Sequence, residues 1–486
     1  MEVTFHVRDQ RVTRDENRAF QNVPLSGWCV ITDQAGRHYY PVEYAVPDDK
    51  PKGYFYFWEH FTVDLKPGVP YTIRIEKGFG WNAYQETLTL EKDQTEAIVK
   101  MSPWISLGHR RWLAGDLDTR FRNMDPSLAM DSQGLSLICR VVPKATATTD
   151  VEKRANGFNH LPNERGFTGR DWAFENFNVL GTIQEVVLED ETPFSNTDLY
   201  HIQKGRNLGG YIDAKVPESP EVPVAAALGL VDYARVVGPE KSQDEIWDES
   251  RVIARFNAYY DLLNAGFRIP VSAGSLAQER EPIEKDRLGA SRVYARIPGT
   301  FSLGRYLKVL TEGPTWASNG PMITLLVNKK DPGKEFEISP QRKRIHISMG
   351  ARSDRPIDRL ELIQNGKVVE TLVGSSTQDY VVKDFDYEVN EPGWIAARVF
   401  EKPVEGEEGI RYAHTSPFYL KDRDSISIRK EPVEDLKNRV QGLIEKAEAN
   451  PDIAPEEKEE MLKMYSQAID FYQKRLDKIA SAKDEG

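Results

Sequence analysis

Short alternations of apolar and polar residues fill the first hundred positions. They occupy residues 3–7, 28–32, 54–58, 71–75, 86–90 and 96–101, divided by turn residues such as Pro67-Gly68 and Gly78-Phe79-Gly80. A period of two over short runs predicts half-buried strands, and regular turns between them predict a small β-sandwich over residues 1–105. The pattern then changes. LSLICRVV (135–142) and NVLGTIQEVVL (178–188) read as buried strands, and residues 196–206 as a short helix. LGGYIDAK (208–215) reads as helix end, glycine turn and strand. Helices are expected at 225–228 and 248–265, the second ending at Gly266, before FRIPVSAGS (267–275) as strand then loop. Strands alternating with helices predict a parallel sheet closed into an α/β barrel over residues 106–320.

Strand patterns return in MITLLVN, RIHISMGA, DRLELIQNGKVVETL, GWIAARVF and SPFYL, predicting a second β-sandwich over 321–428. Gln364-Asn365-Gly366-Lys367 is a hairpin turn, since Asn-Gly supplies the positive φ of a type I′ turn. Over 429–486 the period becomes helical. Val433, Leu436, Val440, Leu443 and Ala447 form one apolar stripe. Leu462, Tyr465, Ile469, Tyr472, Leu476 and Ile479 form another, and NPDIAP (450–455) breaks the two with Pro455 in the first turn. This predicts a helical hairpin packed on its own protein; the alternative is a homo-oligomerisation element.

Composition narrows the functional classes. The chain has 486 residues, 40% hydrophobic and 29% charged, which fits about three folded parts. Its formal net charge is -12 with no basic patch or tail, which disfavours nucleic acid or an anionic membrane as partner. No apolar run approaches the length of a membrane span. Cys29 and Cys139 lie far apart without a CxxC spacing, so a thiolate zinc site is not expected. Two buried free thiols are the expected state, a single disulfide being the alternative. The N-terminus enters a strand pattern at once. Read literally this is a cytoplasmic protein; with an export signal removed it would be periplasmic or extracellular.

Four stretches carry a family resemblance: RRWLAGDLDTRF, GGYIDAKVPESPEVPVAAALGLVDYARVV, FNAYYDLLNAGFRIPVSAGS and SRVYARIPGTFSLGRYLKVLTEGPTWASNGPMITLLVN. The ending GWIAARVFEKPVEGEEGIRYAHTSPFYL also fits. Together they cover about residues 100–420 and resemble the CehA/McbA-like family of the PHP (polymerase and histidinol phosphatase) superfamily. The N-terminal PGVPYTIRIEKG is similar to carboxypeptidase-regulatory-like or transthyretin-like modules. The resemblance implies a distorted (β/α)7 barrel whose strand ends gather histidines and carboxylates around divalent metals. Those metals would lower the pKa of a bound water for ester or carbamate hydrolysis.

Position by position, that metal set is missing. The family's GDLHxH falls here on Gly115-Asp116-Leu117-Asp118-Thr119-Arg120. The next strand offers Arg140 and Lys144, and the strand after the glycine turn offers Asp213, Ala214 and Lys215. The late AGSDxH-type motif reads Ala273-Gly274-Ser275-Leu276-Ala277-Gln278. An arginine has no lone pair for a metal. We therefore expect no metal and no cofactor.

Asp116, Asp118 and Asp213 remain as candidate catalytic carboxylates, with Glu185 a further strand-end acid. Arg120, Arg140 and Lys215 are candidate ligand-binding cations for a small polar, anionic or sugar ligand. Two such carboxylates would also suit a glycoside if held about 5–9.5 Å apart. The bland reading is a salt-bridge network filling the vacated site. His160, in a Gly/Asn-rich loop, is an outside ligand-binding candidate. His109, His201 and His414 are expected to be ordinary hydrogen-bonded or surface histidines, and Trp172, Phe174 and Phe177 to be core. LAQEREPIEKDRLGAS (276–291) reads as a charged loop at the barrel mouth. The expectation is a non-metal ligand-binding or structural pseudo-hydrolase; the alternative is a hydrolase of an ester, phosphoester or glycoside. Arg120 is expected beside Asp116, Asp118 or Asp213, replacing the metal's charge.

Overall fold

A computed structural model describes residues 1–14, 20–42, 53–105, 111–120, 126–143, 158–161, 165–182, 196–239, 247–278, 288–339, 343–406, 409–422 and 428–484. The chain is mixed α/β, with β-rich parts at the N-terminus and before the C-terminal helices.

The N-terminal part has eight strands: β1 (Glu2–Arg14), β2 (Phe20–Pro24), β3 (Gly27–Asp33), β4 (Phe55–Phe57), β5 (His60–Asp64), β6 (Pro70–Glu76), β7 (Tyr84–Thr89) and β8 (Glu96–Met101). One sheet runs β2-β1-β5 with β8 parallel to β1; the other runs β4-β3-β6-β7. Alternate residues from both, among them Val3, Phe5, Val7, Cys29, Ile31, Phe61, Val63, Ile73 and Ile75, fill one core. Cys29 is buried there and Cys139 is buried in the barrel, both as free thiols.

The central part begins with β9 (Trp112–Arg120), β10 (Leu135–Pro143), β11 (Phe158–Leu161), β12 (Arg165–Ala173) and β13 (Phe177–Leu180). It continues with β14 (Tyr211–Ala214), β15 (Tyr233–Val237), β16 (Val271–Ala273), β17 (Ala277–Gln278), β18 (Arg292–Arg296) and β19 (Thr315–Ser318). Strand pairings run β9-β10-β12-β13-β14-β15-β16, and β17, three residues further along, pairs back onto β9. The ring is therefore closed, but it is not wholly parallel as expected. The pairs β12–β13 and β13–β14 are antiparallel. Only Phe174-Glu175-Asn176 separates β12 from β13, too short for the crossover a parallel pair needs.

Helices Leu199–Asn207, Glu221–Ala227 and Glu249–Asn264 lie between ring strands. The last is capped by Asp248, whose side chain accepts from the Arg251 amide at 2.9 Å. The former expectation of a strand over 178–188 is met by β13 only to Leu180, and residues 183–195, with Glu185, lie outside the described residues. So do His109, Lys144 and 279–287 of the charged insertion.

The C-terminal strands are β20 (Met322–Val327), β21 (Glu335–Ile338), β22 (Arg344–Arg352), β23 (Ile357–Gln364), β24 (Lys367–Val373), β25 (Tyr380–Glu388), β26 (Gly393–Glu401), β27 (Tyr412–Thr415) and β28 (Phe418–Asp422). Asn365 and Gly366 turn between β23 and β24 with φ of 52° and 84°, as the Asn-Gly pair requires. A three-stranded sheet β20-β22-β25 forms one layer. The other is continuous with the ring, through β9–β18, β18–β19, β19–β27 and β27–β26. His414, on β27, is buried at this junction: Nδ1 donates to the Thr415 carbonyl at 2.7 Å, and the Tyr260 hydroxyl lies 2.8 Å from Nε2. Burial lowers its pKa to about 3, so it stays neutral.

Helices Lys430–Ala449 and Pro455–Asp484 form the expected hairpin. Val433, Leu436, Val440, Met461, Tyr465, Ala468 and Tyr472 are buried in the same core as the barrel helices. The Tyr472 hydroxyl donates to the Pro223 carbonyl at 2.8 Å, and Glu457 accepts from the Asn196 amide at 2.6 Å. The apolar seams are thus covered within the chain. Because Leu436 is fully buried, Leu436→Ala should cost about 2–5 kcal/mol in equilibrium denaturant unfolding. A loss within about 0.5 kcal/mol, as expected of a surface site, would mean that the hairpin is not docked in solution.

Candidate functional site

The ring register sets residues of five strands around one point. Asn178 on β13 pairs with Asp213 on β14, and Arg235 on β15 pairs with Ser272 on β16. The ring then returns to β9, which carries Asp116 and Asp118. Side chains on non-adjacent strands of a closed ring meet on its inner side. Arg235 reaches them there. Its Nη1 donates to Asp118 Oδ2 at 2.7 Å, and its Nη2 and Nε donate to Asp213 Oδ2 at 2.6 and 3.2 Å. All three side chains are 0% exposed.

Polar neighbours complete the carboxylates. Asn178 Nδ2 donates to Asp118 Oδ2 at 2.9 Å, and the Ser272 hydroxyl donates to Asp213 Oδ1. Gly274 permits the approach: a Cβ there would lie 2.6 Å from the Asp118 Cβ and 3.1 Å from the Arg235 Cζ. This gives the glycine of the SAGS motif a steric reason. Burial alone would raise the Asp118 pKa. The positive charges of Arg235 and Lys215, with hydrogen bonds from Asn178 and Arg235, outweigh it and hold the carboxyl below its usual range. The two carboxylates in turn hold Arg235 charged despite its burial.

Asp116 faces different groups. Its oxygens accept from the Ser275 amide at 3.0 Å, the Gly289 amide at 2.8 Å, the Asp118 amide at 3.2 Å and the Ser275 hydroxyl. No cation offsets its burial among these partners, and its pKa rises to about 6. Asp171 on β12 accepts from the Gly181 amide at 2.6 Å and from the Thr168 hydroxyl. Burial, helped by the charge of Asp118, raises it to about 7. Lys215 donates to the Phe174 carbonyl at 2.6 Å, and burial lowers its pKa.

Of the sequence-based candidates, Asp118 and Asp213 meet through Arg235, with Asp116 and Lys215 adjoining. Arg120 does not pair as expected. Among the described residues it forms no ion pair with any of the three aspartates, and its buried Nε has no hydrogen-bond partner. Its charge is felt by Lys215, so it lies close by, but Arg235 already holds the carboxylates. Arg140 lies opposite Thr119 on the neighbouring strand with its guanidinium 5.0 Å from the Phe167 ring centre. His160 lies in β11, and its side chain is outside the described residues. His201 is buried and stacks on Phe174 with ring centres 5.3 Å apart. Trp172, Phe174 and Phe177 are core.

Arg235, Asp171 and Asn178 were missed by sequence reasoning. The one signal for Arg235 is a single charge inside the apolar strand YARVV. A second buried acid was also missed. Glu221 accepts from the Thr197 hydroxyl at 2.7 Å, and burial beside Asp198 raises it to about 7.

The set does not fit the metal centre that the resemblance implies. Both oxygens of Asp116 and of Asp213, and one of Asp118, already accept hydrogen bonds, leaving only Asp118 Oδ1 unpartnered. Among the described residues no group of three or more His, Cys, Asp or Glu is gathered to hold a metal. A guanidinium fixed between the acids also repels a cation. No family model and no curated protein matches the chain.

The raised carboxyls of Asp116 and Asp171, with Glu221 acting in the same direction, give a pH test. Unfolded aspartates titrate near about 3.9. Between about pH 4 and 7 the folded chain keeps protons on Asp116 and Asp171 that the unfolded chain has released, so their contribution to stability falls as pH rises through that window. Asp118, lowered in the fold, acts oppositely and loses its contribution only as pH falls below about 4. At about 1.4 kcal/mol per unit, Asp171 accounts for at most about 4 kcal/mol of that fall. Asp171→Asn should remove Asp171's share of the fall in unfolding free energy between about pH 4.5 and 7.5, leaving the smaller slope due to Asp116 and Glu221. A wild-type curve with no fall in that window, unchanged by Asp171→Asn, would contradict this.

Proposed function

We propose that the chain is a PHP-like α/β barrel, similar to the CehA/McbA family, in which a buried arginine takes the electrostatic place of the metals. On this reading it is a ligand-binding or structural pseudo-hydrolase and not a metallohydrolase. The observation that carries the proposal is the Arg235 guanidinium bridging Asp118 and Asp213. A metal site needs several carboxylate or imidazole lone pairs turned inward; here a resident cation and its hydrogen-bonding partners engage them. Any ligand would be small and polar, held beside this centre by Arg120, which is only partly buried.

One observation favours the alternative, a hydrolase with a reworked carboxylate site. Asp171, raised to about 7, holds its proton near neutrality, and Asp116, raised to about 6, holds it in mildly acidic solution, which suits a general acid. Against it, Asp116, Asp118, Asp171 and Asp213 are all fully buried, and a catalytic acid must reach its substrate.

Metal analysis of unchelated protein separates the metal and non-metal readings. We expect less than 0.1 equivalent of zinc, manganese or iron held at Asp118. An equivalent of metal lost on Asp118→Ala would overturn the proposal. A screen of ester, phosphoester and glycoside substrates separates the non-metal readings. No turnover, with a rise in melting temperature on adding a small sugar or anion, supports a binding protein. Turnover abolished by Asp118→Asn or Asp213→Asn would establish the hydrolase.

A further inference from the structure

The outer face of the N-terminal sheet carries a pair of histidines that the barrel does not use. β1 and β5 are antiparallel, with His6 directly opposite His60. Val3, Phe5, Val7, Phe61 and Val63 fill the sandwich core, so the alternate positions Thr4, His6, His60 and Thr62 face outward. β8 runs on the other side of β1 and sets Ile98 beside His6 and Glu96 beside Thr4. His60 is exposed, His6 half-buried, and Ile98 is 65% exposed.

The two imidazole rings have centres 5.9 Å apart and planes tilted by 36°. Opposed residues of an antiparallel pair hold their Cβ atoms about 4.5–5.5 Å apart, a spacing fixed by the sheet. Two imidazoles on one ion, each nitrogen about 2.0–2.1 Å from it, place their ring centres about 5 Å apart. A small χ rotation closes the difference, and neither ring must leave the face. The backbone on the His60 side is held: the Val7 amide donates to the Glu59 carbonyl at 3.0 Å, and the His60 amide to the Trp58 carbonyl. Glu59 takes a left-handed φ of 55° at this corner, where a non-glycine residue is costly. The nearby outward charges include Glu2, Asp64 and Glu96, with Arg8 and Lys100 at the far end of the face, and the chain carries a net charge of -12.

We propose that His6 and His60 form a surface site for one divalent transition-metal ion of the copper, nickel and zinc class. Imidazole nitrogen suits these ions, whereas magnesium and calcium demand oxygen. Among the described residues no third His, Cys, Asp or Glu joins the pair. The protein therefore supplies two ligands, and the remaining positions stay with water. With only two ligands, the order of affinity follows the intrinsic one, copper above nickel and zinc. The site is separate from the barrel network and does not depend on how that network is read.

The test is calorimetric titration of the full chain with copper(II), nickel(II), zinc(II) and magnesium chlorides. His6→Gln, His60→Gln and His346→Gln are compared with the unaltered chain; His346 is another exposed histidine, on β22 beside Asp386. We expect one equivalent of copper bound most tightly and no binding of magnesium. His6→Gln and His60→Gln should each weaken copper binding at least tenfold, and His346→Gln should leave it unchanged. All three positions lie on outer strand faces, and circular dichroism of each variant checks that it folds. The proposal is overturned if no such equivalent binds, or if either His6→Gln or His60→Gln binds copper as the unaltered chain does.

Discussion

The guanidinium of Arg235 sits fully buried between two carboxylates at the centre of the strand ring, and the surrounding geometry follows from that placement. Taking one cation and two anions out of water costs several kcal/mol per ion, and mutual attraction offsets this only when geometry and hydrogen bonding are nearly complete. The barrel meets that demand locally. Asn178 and Ser272 supply donors to the carboxylates, and Lys215 adds a second positive charge beside Asp118. Gly274 clears the volume a Cβ would take. Asp116 and Asp171, which lack a paired cation, are satisfied by amides and hydroxyls instead and drift towards their protonated forms. Two kinds of buried acid therefore coexist, one held below its usual range by arginine and one raised above it by burial.

The rest of the chain supports this centre from outside. β9 pairs with β10 along one edge and with both the ring strand β17 and β18 along the other, and through β18, β19 and β27 the same sheet enters the C-terminal β-rich part. The helical hairpin closes over the barrel helices, using Tyr472 and Glu457 as polar anchors within an apolar seam. His414 shows how the junction avoids charge: with both ring nitrogens engaged and no acid paired to it, it remains neutral.

Much of the secondary structure was legible in sequence because it depends on local period and punctuation. The alternation of β3 and β6, the Asn365-Gly366 turn, the long helix ending before Gly266 and the stripe from Val433 to Ala447 are local signals, and each lies where the pattern placed it. The antiparallel pairing of β12 with β13 was not legible, because the brevity of their connection shows only once both strand ends are known. At the site, Asp116, Asp118 and Asp213 were found by their places at strand ends. Arg235 was not, since a lone arginine in YARVV reads as an outward position until the ring closes and makes that side the interior. Choosing Arg120 as the charge partner followed its place in the GDLDTR stretch, where the resembling family carries its second histidine. The structure pairs them instead with a residue 117 positions from Asp118. Sequence proximity carries no information about which cation crosses a barrel.

The central claim is that Arg235 compensates Asp118 and Asp213 as a unit, as a metal would. The most direct measurement is the unfolding free energy of Arg235→Met alone and combined with Asp118→Asn and Asp213→Asn. Removing the arginine leaves two buried anions unpaired, and the single variant should lose about 3–5 kcal/mol. Neutralising both acids as well should recover most of that loss, because the cost lies in stranded charge. A single variant that loses less than about 1 kcal/mol, as an exposed ion pair would, or a triple variant no more stable than the single one, would contradict the account.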